Sequence, residues 1–393
     1  MALVFPVVML MGTISAGALG GGISSAVARA LGAGQNNDAN ALVIHAVAVN
    51  IVFGLFFSAV FLLFGEPIYR YLGGRGGELA AALAYSNVVF AGNIFLWLMN
   101  GLASIVRGTG NMFFPALVTC VGVVFLIPIS PMLIFGFGPI PALGVSGGGV
   151  ALIAYYLAGT IAIGWYIVSG RSSVRLVWAR LRRAPLSAIM KVGALSTLNS
   201  IQTNAIVAGA TALVAMHASV AAVAGFGTGV RLEYLLIPLI FGIGAPMVAM
   251  VGANIGAGQR DRALRIGMIG AGSTFLVTEA IGVAAALWPG AWLSLFSADP
   301  DMIAAGSAYL RIVGPTYGFF GLGLSLYFAS QGAGRMQWPI IGGLLRTAIA
   351  LGGGYVVLQA TGSLDALYAA LAIALVAYGL TVFVAVRKGA WDR

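Results

Sequence analysis

The segment Gly32-Ala33-Gly34-Gln35 recurs as Gly256-Ala257-Gly258-Gln259, 224 positions further along the chain. A second pair of segments keeps the same offset: Arg107-Gly108-Thr109-Gly110-Asn111-Met112 and Gln331-Gly332-Ala333-Gly334-Arg335-Met336. The offset also relates Pro115 to Pro339 and Tyr85 to Tyr309. Because one offset holds for two separate motifs, the chain is predicted to contain two copies of one structural unit.

The composition is that of a membrane protein. Hydrophobic residues make up 60% of the 393 residues and charged residues only 8%, whereas about 25% of the residues in a soluble domain are charged. Apolar stretches long enough to span a bilayer predict eleven helices, at about 4–28, 41–64, 79–105, 112–135, 146–168, 190–215, 222–250, 264–287, 303–329, 338–360 and 364–386. The stretches are too long for outer-membrane β-strands. The predicted fold is therefore an all-α polytopic membrane protein, and such internal repeats are typical of transporters.

The positive charge, +10 overall, lies on one side of the predicted spans. Loops on that side and the C-terminal tail hold Arg29, Arg107, Arg171, Arg175, Arg180, Arg182, Arg183, Lys191, Arg260, Arg262, Arg265, Arg335, Arg387, Lys388 and Arg393. The opposite loops hold only Arg70 and Arg75, with five acidic residues. Since cytoplasmic loops are enriched in Lys and Arg, this asymmetry predicts a multi-pass protein of the cell membrane with a cytoplasmic C-terminus. It does not indicate nucleic-acid binding, which would need a basic face on a soluble domain.

The sequence does not predict an enzyme. The single cysteine, Cys120, lies in an apolar span, and the two histidines are far apart, so neither a metal cluster nor a nucleophile with a base is expected. The two Gly-x-Gly loops follow membrane helices and not strands, which favours tight turns over phosphate-binding loops. No cofactor is predicted. A transported H+ or Na+ is expected as coupling ion, and the protein is expected to be a monomer.

The basic linker divides the chain into two predicted lobes. The N-terminal lobe is assigned to 1–168, the linker to 169–189, the C-terminal lobe to 190–386 and a cytoplasmic tail to 387–393. The second copy has six spans and the first has five, because the helix that would match 190–215 falls before residue 1 when shifted by the offset. We therefore expect the first copy to be truncated by one helix. Six helices per copy would give parallel repeats in a 6 + 6 arrangement.

The repeated loops carry a resemblance to a known family. The chain resembles the multidrug and toxic compound extrusion family, in particular its DinF-like branch, in Ser24-Ser25-Ala26-Val27-Ala28-Arg29-Ala30-Leu31-Gly32-Ala33-Gly34 and in Val251-Gly252-Ala253-Asn254-Ile255-Gly256-Ala257-Gly258. Arg231-Leu232-Glu233, followed by Pro238 and Gly242, looks like the eighth helix of that family. The resemblance implies twelve helices in two bundles, a central cavity, and export of cationic or amphipathic compounds against inward proton or sodium flow. Many members carry a coupling aspartate in the first helix, which this sequence lacks.

Polar side chains at bilayer depth are the candidate cavity lining. Asn93, Trp97 and Asn100 belong to a stripe with steps of three and four, together with Ser86, Phe90 and Ser104, so a continuous helix would carry all six on one face. The matching stripe in the second copy is mostly apolar, which indicates that the fold does not require the polarity. Asn199 and Gln202 share a face of the helix at 190–215. Interhelical hydrogen bonding is the alternative interpretation for both groups.

Two carboxylates inside spans, Glu233 and Glu279, are the candidate ion-coupling residues. A charge near the bilayer centre costs roughly 3 kcal/mol, so such a group should be protonated, paired or in contact with water. Pro238 frees the carbonyl of the preceding turn beside Glu233. The alternative is a structural ion pair with Arg311 or Arg346, which also lie inside spans.

These observations favour a secondary active exporter that exchanges a cation for amphipathic or cationic small molecules by alternating access. No nucleotide-binding module is recognisable in the sequence, so an ion gradient is expected to drive it. Two alternatives stay open at this point. One is a flippase for a lipid-linked precursor, which arginines at membrane depth would favour. The other is an inactive fragment or a subunit that needs a partner chain.

Overall fold

The computed structural model describes residues 4–139 and 141–392, and it is helical throughout its membrane segments. The first span contains α1 (Phe5–Gly12), a π-helical stretch (Thr13–Leu19) and α2 (Gly20–Gly32). The remaining elements of the first half are α3 (Asn36–Tyr71), α4 (Gly76–Ala91), α5 (Asn93–Gly108), α6 (Phe113–Phe135) and α7 (Val145–Val168). The second half contains α8 (Arg183–His217), α9 (Val220–Gly256), α10 (Arg260–Leu287), α11 (Pro289–Leu293), α12 (Pro300–Val313), a 3-10 turn (Gly314–Thr316), α13 (Tyr317–Ala333), α14 (Gln337–Thr347), a second π-helical stretch (Ala348–Gly353), α15 (Gly354–Thr361) and α16 (Leu364–Arg387).

The spans are helical because a bilayer-spanning backbone must satisfy its own hydrogen bonds, and they are long and apolar because they cross the hydrocarbon core. Within the described residues, nine helical segments meet the length and hydropathy expected of a span, or ten if a bent pair counts as one. The predicted span at 190–215 is a helix, α8, but it is not among the nine. Its run of Ser, Thr, Asn and Gln side chains between positions 196 and 204 explains its lower hydropathy.

The predicted span at 79–105 is not one continuous helix. It consists of α4 and α5, which meet at Gly92 with a bend of 49°. A Cβ atom at Gly92 would lie 2.5 Å from the side chain of Ile153, so glycine permits the close approach of α7 at the bend. The second copy breaks at the equivalent place, where the 3-10 turn containing Pro315 separates α12 from α13. The predicted stripe still faces one neighbouring helix, because Ser86 and Phe90 of α4 contact α3 and so do Asn93 and Trp97 of α5.

The repeat is visible in backbone geometry. Gly34 and Gly258 both have left-handed φ angles, 72° and 74°, and the next helix begins two residues later in each copy, at Asn36 and at Arg260. A glycine suits these turns because other residues rarely adopt that conformation. The copies also share a helix crossing. A Cβ at Gly108 would lie 2.8 Å from the carbonyl oxygen of Ser24, and one at Gly332 would lie 2.6 Å from that of Val248. Both pairs are related by the sequence offset.

The chain forms two compact units, Met1–Ala194 and Leu195–Arg393, and the boundary lies within α8. The first part of α8 packs in the first unit, where a Cβ at Gly22 would lie 2.5 Å from the carbonyl oxygen of Ile189. The basic linker also belongs to the first unit. Its backbone N–H groups at Arg175 and Arg182 donate to Asn40 Oδ1 and His45 Nε2 of α3, each at 2.8 Å. In the second unit, α13 is buried along almost its whole length.

Candidate functional site: a buried ion pair in the second unit

Glu233 of α9 forms an ion pair with Arg346 of α14. The distance from Arg346 Nη2 to Glu233 Oε1 is 2.7 Å, and the side chains are 6% and 12% exposed. The hydroxyl of Tyr309, on α12, donates a longer hydrogen bond of 3.4 Å to Glu233 Oε2. Three helices of the second unit therefore each contribute one polar group to this cluster. A charge pair so well excluded from water has a large desolvation cost, which only close geometry offsets.

The guanidinium of Arg346 also lies against aromatic rings. Its central carbon is 5.0 Å from the ring centroid of Phe320 and 5.9 Å from that of Tyr378. Both distances are within the range of cation–π attraction. Arg346 stands in the last turn of α14, directly before the π-helical stretch Ala348–Gly353. The arginine therefore has two kinds of partner, the carboxylate of Glu233 and the faces of two aromatic rings.

A small cavity adjoins the ion pair. Its volume is about 20 Å³, and of its thirteen lining residues only Glu233, Tyr309 and Arg346 are polar. A water molecule needs roughly 10–15 Å³ on this measure, so the cavity has room for about one. It is too small for an amphipathic molecule in this conformation. The cavity can hold one water molecule beside the carboxylate of Glu233, but not a drug-sized ligand.

The structure selects one of the two arginines that sequence alone left open as partners of Glu233. Arg346 is buried and paired, whereas Arg311 is exposed. Tyr309 was singled out by the repeat and not as a site residue. Two sequence features could have indicated Tyr309 as a site residue: it recurs as Tyr85 in the other copy, and Pro315 follows it within the same span.

Glu279, the second predicted coupling carboxylate, lies elsewhere. It is half-buried on α10, and its Oε2 accepts a 2.7 Å hydrogen bond from the backbone N–H of Gly318. Gly318 stands in the first turn of α13, where backbone N–H groups lack intrahelical partners. A Cβ at Gly318 would lie 2.6 Å from the same carboxylate oxygen. Glu279 thus stabilises the start of α13, the helix that follows the 3-10 turn. It does not line the cavity beside Glu233.

Asn93 and Trp97 are buried inside the first unit. Asn93 donates a 3.2 Å hydrogen bond to the carbonyl oxygen of Gly54. Trp97 is 0% exposed, and its ring stacks with Phe53 and Phe57 at centroid distances of 5.5 and 5.4 Å. Asn100 is half-buried. Their assignment to a substrate cavity stays a prediction. For Trp97 it requires the ring to leave the two phenylalanines that it contacts here.

Asn199 and Gln202 are buried on α8 and face α14. A Cβ at Gly343 would lie 2.3 Å from Gln202 Oε1 and 3.3 Å from Asn199 Oδ1. Neither amide atom of Gln202 has a hydrogen-bond partner among the described residues. One turn away, Gln331 Nε2 donates to Ser196 Oγ and to the hydroxyl of Tyr327, at 2.8 and 2.9 Å. Interhelical hydrogen bonding therefore accounts for part of this polar cluster, and the role of Gln202 in substrate binding stays a prediction.

Comparison with known proteins agrees with the fold. The family model MatE matches residues 1–132 and 201–356. The FAD transporter of Shewanella oneidensis is 27% identical over 331 residues, covering 83% of this chain and 72% of that protein. The probable multidrug resistance protein NorM of Thermotoga maritima is 25% identical over 81% of this chain and 69% of its own length.

The structure has close counterparts among solved structures. A MOP superfamily transporter from Pyrococcus furiosus superposes with a TM-score of 0.92 at 21% identity, covering all of this chain and 88% of that one. A structure of MATE in the bent conformation gives the same TM-score at 22% identity. At these identities the structural likeness concerns the fold, whereas the match to the family model covers more than half of the sequence. The chain belongs to the MatE family and is a multi-pass membrane transporter.

Proposed function

We propose that this transporter is a secondary active exporter, which couples the inward flow of a cation to the export of amphipathic or cationic small molecules by alternating access. Membership of the family supports this, as do relatives described as a probable multidrug resistance protein and as an FAD transporter. The observation that carries the coupling step is the carboxylate of Glu233, which is buried in the second unit and bonded to an arginine of another helix.

The ion pair provides a physical basis for coupling. Removing one partner of a buried pair costs about 3–5 kcal/mol, because the other charge is left uncompensated. A conformational change that separates Glu233 from Arg346 is therefore unfavourable unless a cation replaces the lost charge at the carboxylate. Cation uptake and the conformational change thus become linked. Glu279, whose carboxylate accepts a hydrogen bond from the start of α13, is the second candidate for coupling because that contact joins α10 to α13 just after the 3-10 turn.

The remaining expectations complete the proposal. Substrate is bound by the amide and indole groups at Asn93, Trp97, Asn100, Asn199 and Gln202 after the contacts that bury them have opened. The protein acts as a monomer in the cell membrane, with its C-terminus in the cytoplasm, which the asymmetry of Lys and Arg supports.

Efflux of ethidium from proteoliposomes tests the coupling role. Glu233→Gln preserves the shape of the side chain and removes its charge, so gradient-driven efflux should fall about tenfold or more while ethidium binding changes little. Glu66→Gln is the matched control, because Glu66 is exposed at the end of α3 and far from the site in sequence. Equal efflux by wild type and Glu233→Gln, at equal amounts of folded protein, would show that Glu233 has no part in coupling.

A further inference from the structure

We infer that the guanidinium of Arg346 occupies the position beside Glu233 where a metal ion would otherwise bind. The site therefore takes up protons and excludes Na+. The inference rests on the proposed function, because it names the ion that the same site would exchange. It makes Arg346 the residue that determines ion specificity.

The first step of the argument concerns charge. The positive charge of Arg346 is 2.7 Å from the carboxylate, and the side chain of Arg346 is more buried than that of Glu233. A metal ion bound to the same carboxylate would lie within a few ångströms of the guanidinium, and water is too scarce there to screen the repulsion. The guanidinium of Arg346 is also in contact with the rings of Phe320 and Tyr378, which help to hold it at this site.

The second step concerns ligands. Hard metal ions in proteins are held by about six oxygen atoms. Among the side chains that line the cavity, only the carboxylate of Glu233 and the hydroxyl of Tyr309 offer oxygen. The other lining side chains, apart from Arg346, are aliphatic or, at Phe226, aromatic. Throughout residues 4–139 and 141–392, no three or more His, Cys, Asp or Glu side chains come together in a way that could hold a metal ion.

A proton has no such requirement. A proton passes from hydronium to one oxygen of Glu233 and leaves a water molecule behind, so the carboxylate loses its negative charge and its ion pair with Arg346. The cation–π contacts of Arg346 with Phe320 and Tyr378 already exist and remain to stabilise its charge. The other titratable groups near the pair are tyrosines: Tyr309 on α12, Tyr317 on α13, Tyr378 on α16 and Tyr234 next to Glu233 on α9. Tyrosine hydroxyls are neutral at physiological pH, so Arg346 and Glu233 carry the charge of this cluster.

Thermal unfolding of the purified full chain in detergent tests the inference directly. Each sample is titrated with NaCl against choline chloride, at constant ionic strength and pH. Wild type should show no Na+-dependent rise in Tm. Arg346→Gln removes the cation beside Glu233, adds an amide oxygen and frees space for water ligands, so this variant should gain a Na+-dependent rise of about 2–4 °C over its own baseline. The double variant Glu233→Gln/Arg346→Gln should lose that gain. Arg311→Gln, which removes an exposed arginine of a neighbouring helix, is the matched control and should behave like wild type.

The results that would overturn the inference are equally definite. They are a Na+-dependent rise of Tm in wild type that Glu233→Gln abolishes, or a folded Arg346→Gln variant that does not respond to Na+. If Arg346→Gln cannot be purified, the wild-type titration with Glu233→Gln decides alone.

Ethidium efflux under two separate gradients distinguishes this inference from the proposed function. Efflux driven by a pH gradient and not by a Na+ gradient supports both. Efflux driven by Na+ through Glu233 overturns the proton assignment and leaves cation-coupled export intact. Efflux that responds to neither gradient overturns the proposed function, and the Na+ titration of Tm still reports on the role of Arg346.

Discussion

Removal of the Glu233–Arg346 pair one side at a time, and then together, should reveal a large coupling energy. The pair has an N–O distance of 2.7 Å and side chains only 6% and 12% exposed. Leaving either charge buried without its partner should cost about 3–5 kcal/mol of unfolding free energy. The double variant Glu233→Gln/Arg346→Gln removes both charges, and two amides can hydrogen-bond to each other. It should therefore be more stable than either single variant.

The chain offers a matched control in Glu66 and Arg70, which form an ion pair at 2.6 Å within α3. The two pairs have nearly equal distances, but the side chains of Arg70 and Glu66 are 66% and 54% exposed. Solvent screening at that site should reduce the contribution of the pair to about 0.3–0.5 kcal/mol. Any difference in coupling energy between the two pairs therefore reflects their different burial and not their N–O distances.

The measurement is equilibrium unfolding in mixed detergent micelles, with a double-mutant cycle for each pair. We expect a coupling energy of about 2 kcal/mol or more for Glu233 and Arg346, and less than about 0.5 kcal/mol for Glu66 and Arg70. Additive losses at the buried pair would refute the reasoning, because they would show that the two side chains do not depend on each other in the folded protein.

Three further predictions concern packing, helix capping and topology. Gly332→Ala should lower Tm, since its Cβ would meet the carbonyl oxygen of Val248 at 2.6 Å and overpacking costs typically 1–3 kcal/mol. Gly227→Ala, with open space around its Cβ, should leave Tm unchanged or raise it; equal losses at both sites would contradict the packing argument. Glu279→Ala should lower the free energy of unfolding by about 1.5–3 kcal/mol, because it removes a charged acceptor from a backbone N–H, and Glu279→Gln should lower it less; unfolding in mixed micelles measures both, and an unaffected Glu279→Ala would exclude the capping role. In a background with Cys120 replaced by Ser, an impermeant maleimide added to intact cells should label Thr361→Cys and not Trp178→Cys, and labelling of position 178 would reverse the assigned topology.

Much of the architecture follows from the sequence alone, because its signals are local. Apolar stretches of about 20 residues must become helices in a bilayer, where the backbone has no other hydrogen-bond partners. The repeated loops predicted two copies of one unit, and Gly34 and Gly258 have nearly the same backbone conformation. Even so, local patterns did not predict the 49° bend at Gly92, where Ile153 of another helix packs so closely that a Cβ would not fit.

The candidate site shows the corresponding limit. Sequence identified Glu233 as a carboxylate where charge is costly, but Arg311 and Arg346 were equally plausible partners, since each lies on an apolar span. Arg346 is 113 residues from Glu233, and no periodicity links residues at that separation. Trp97 illustrates the same point, because Phe53 and Phe57 of another helix cover a ring that sequence offered to a substrate. The sequence by itself determined which groups cannot face lipid, because the cost of exposing polar atoms to hydrocarbon depends on residue type. Only the tertiary structure decided which partner each group has, because that depends on how helices distant in the chain pack together.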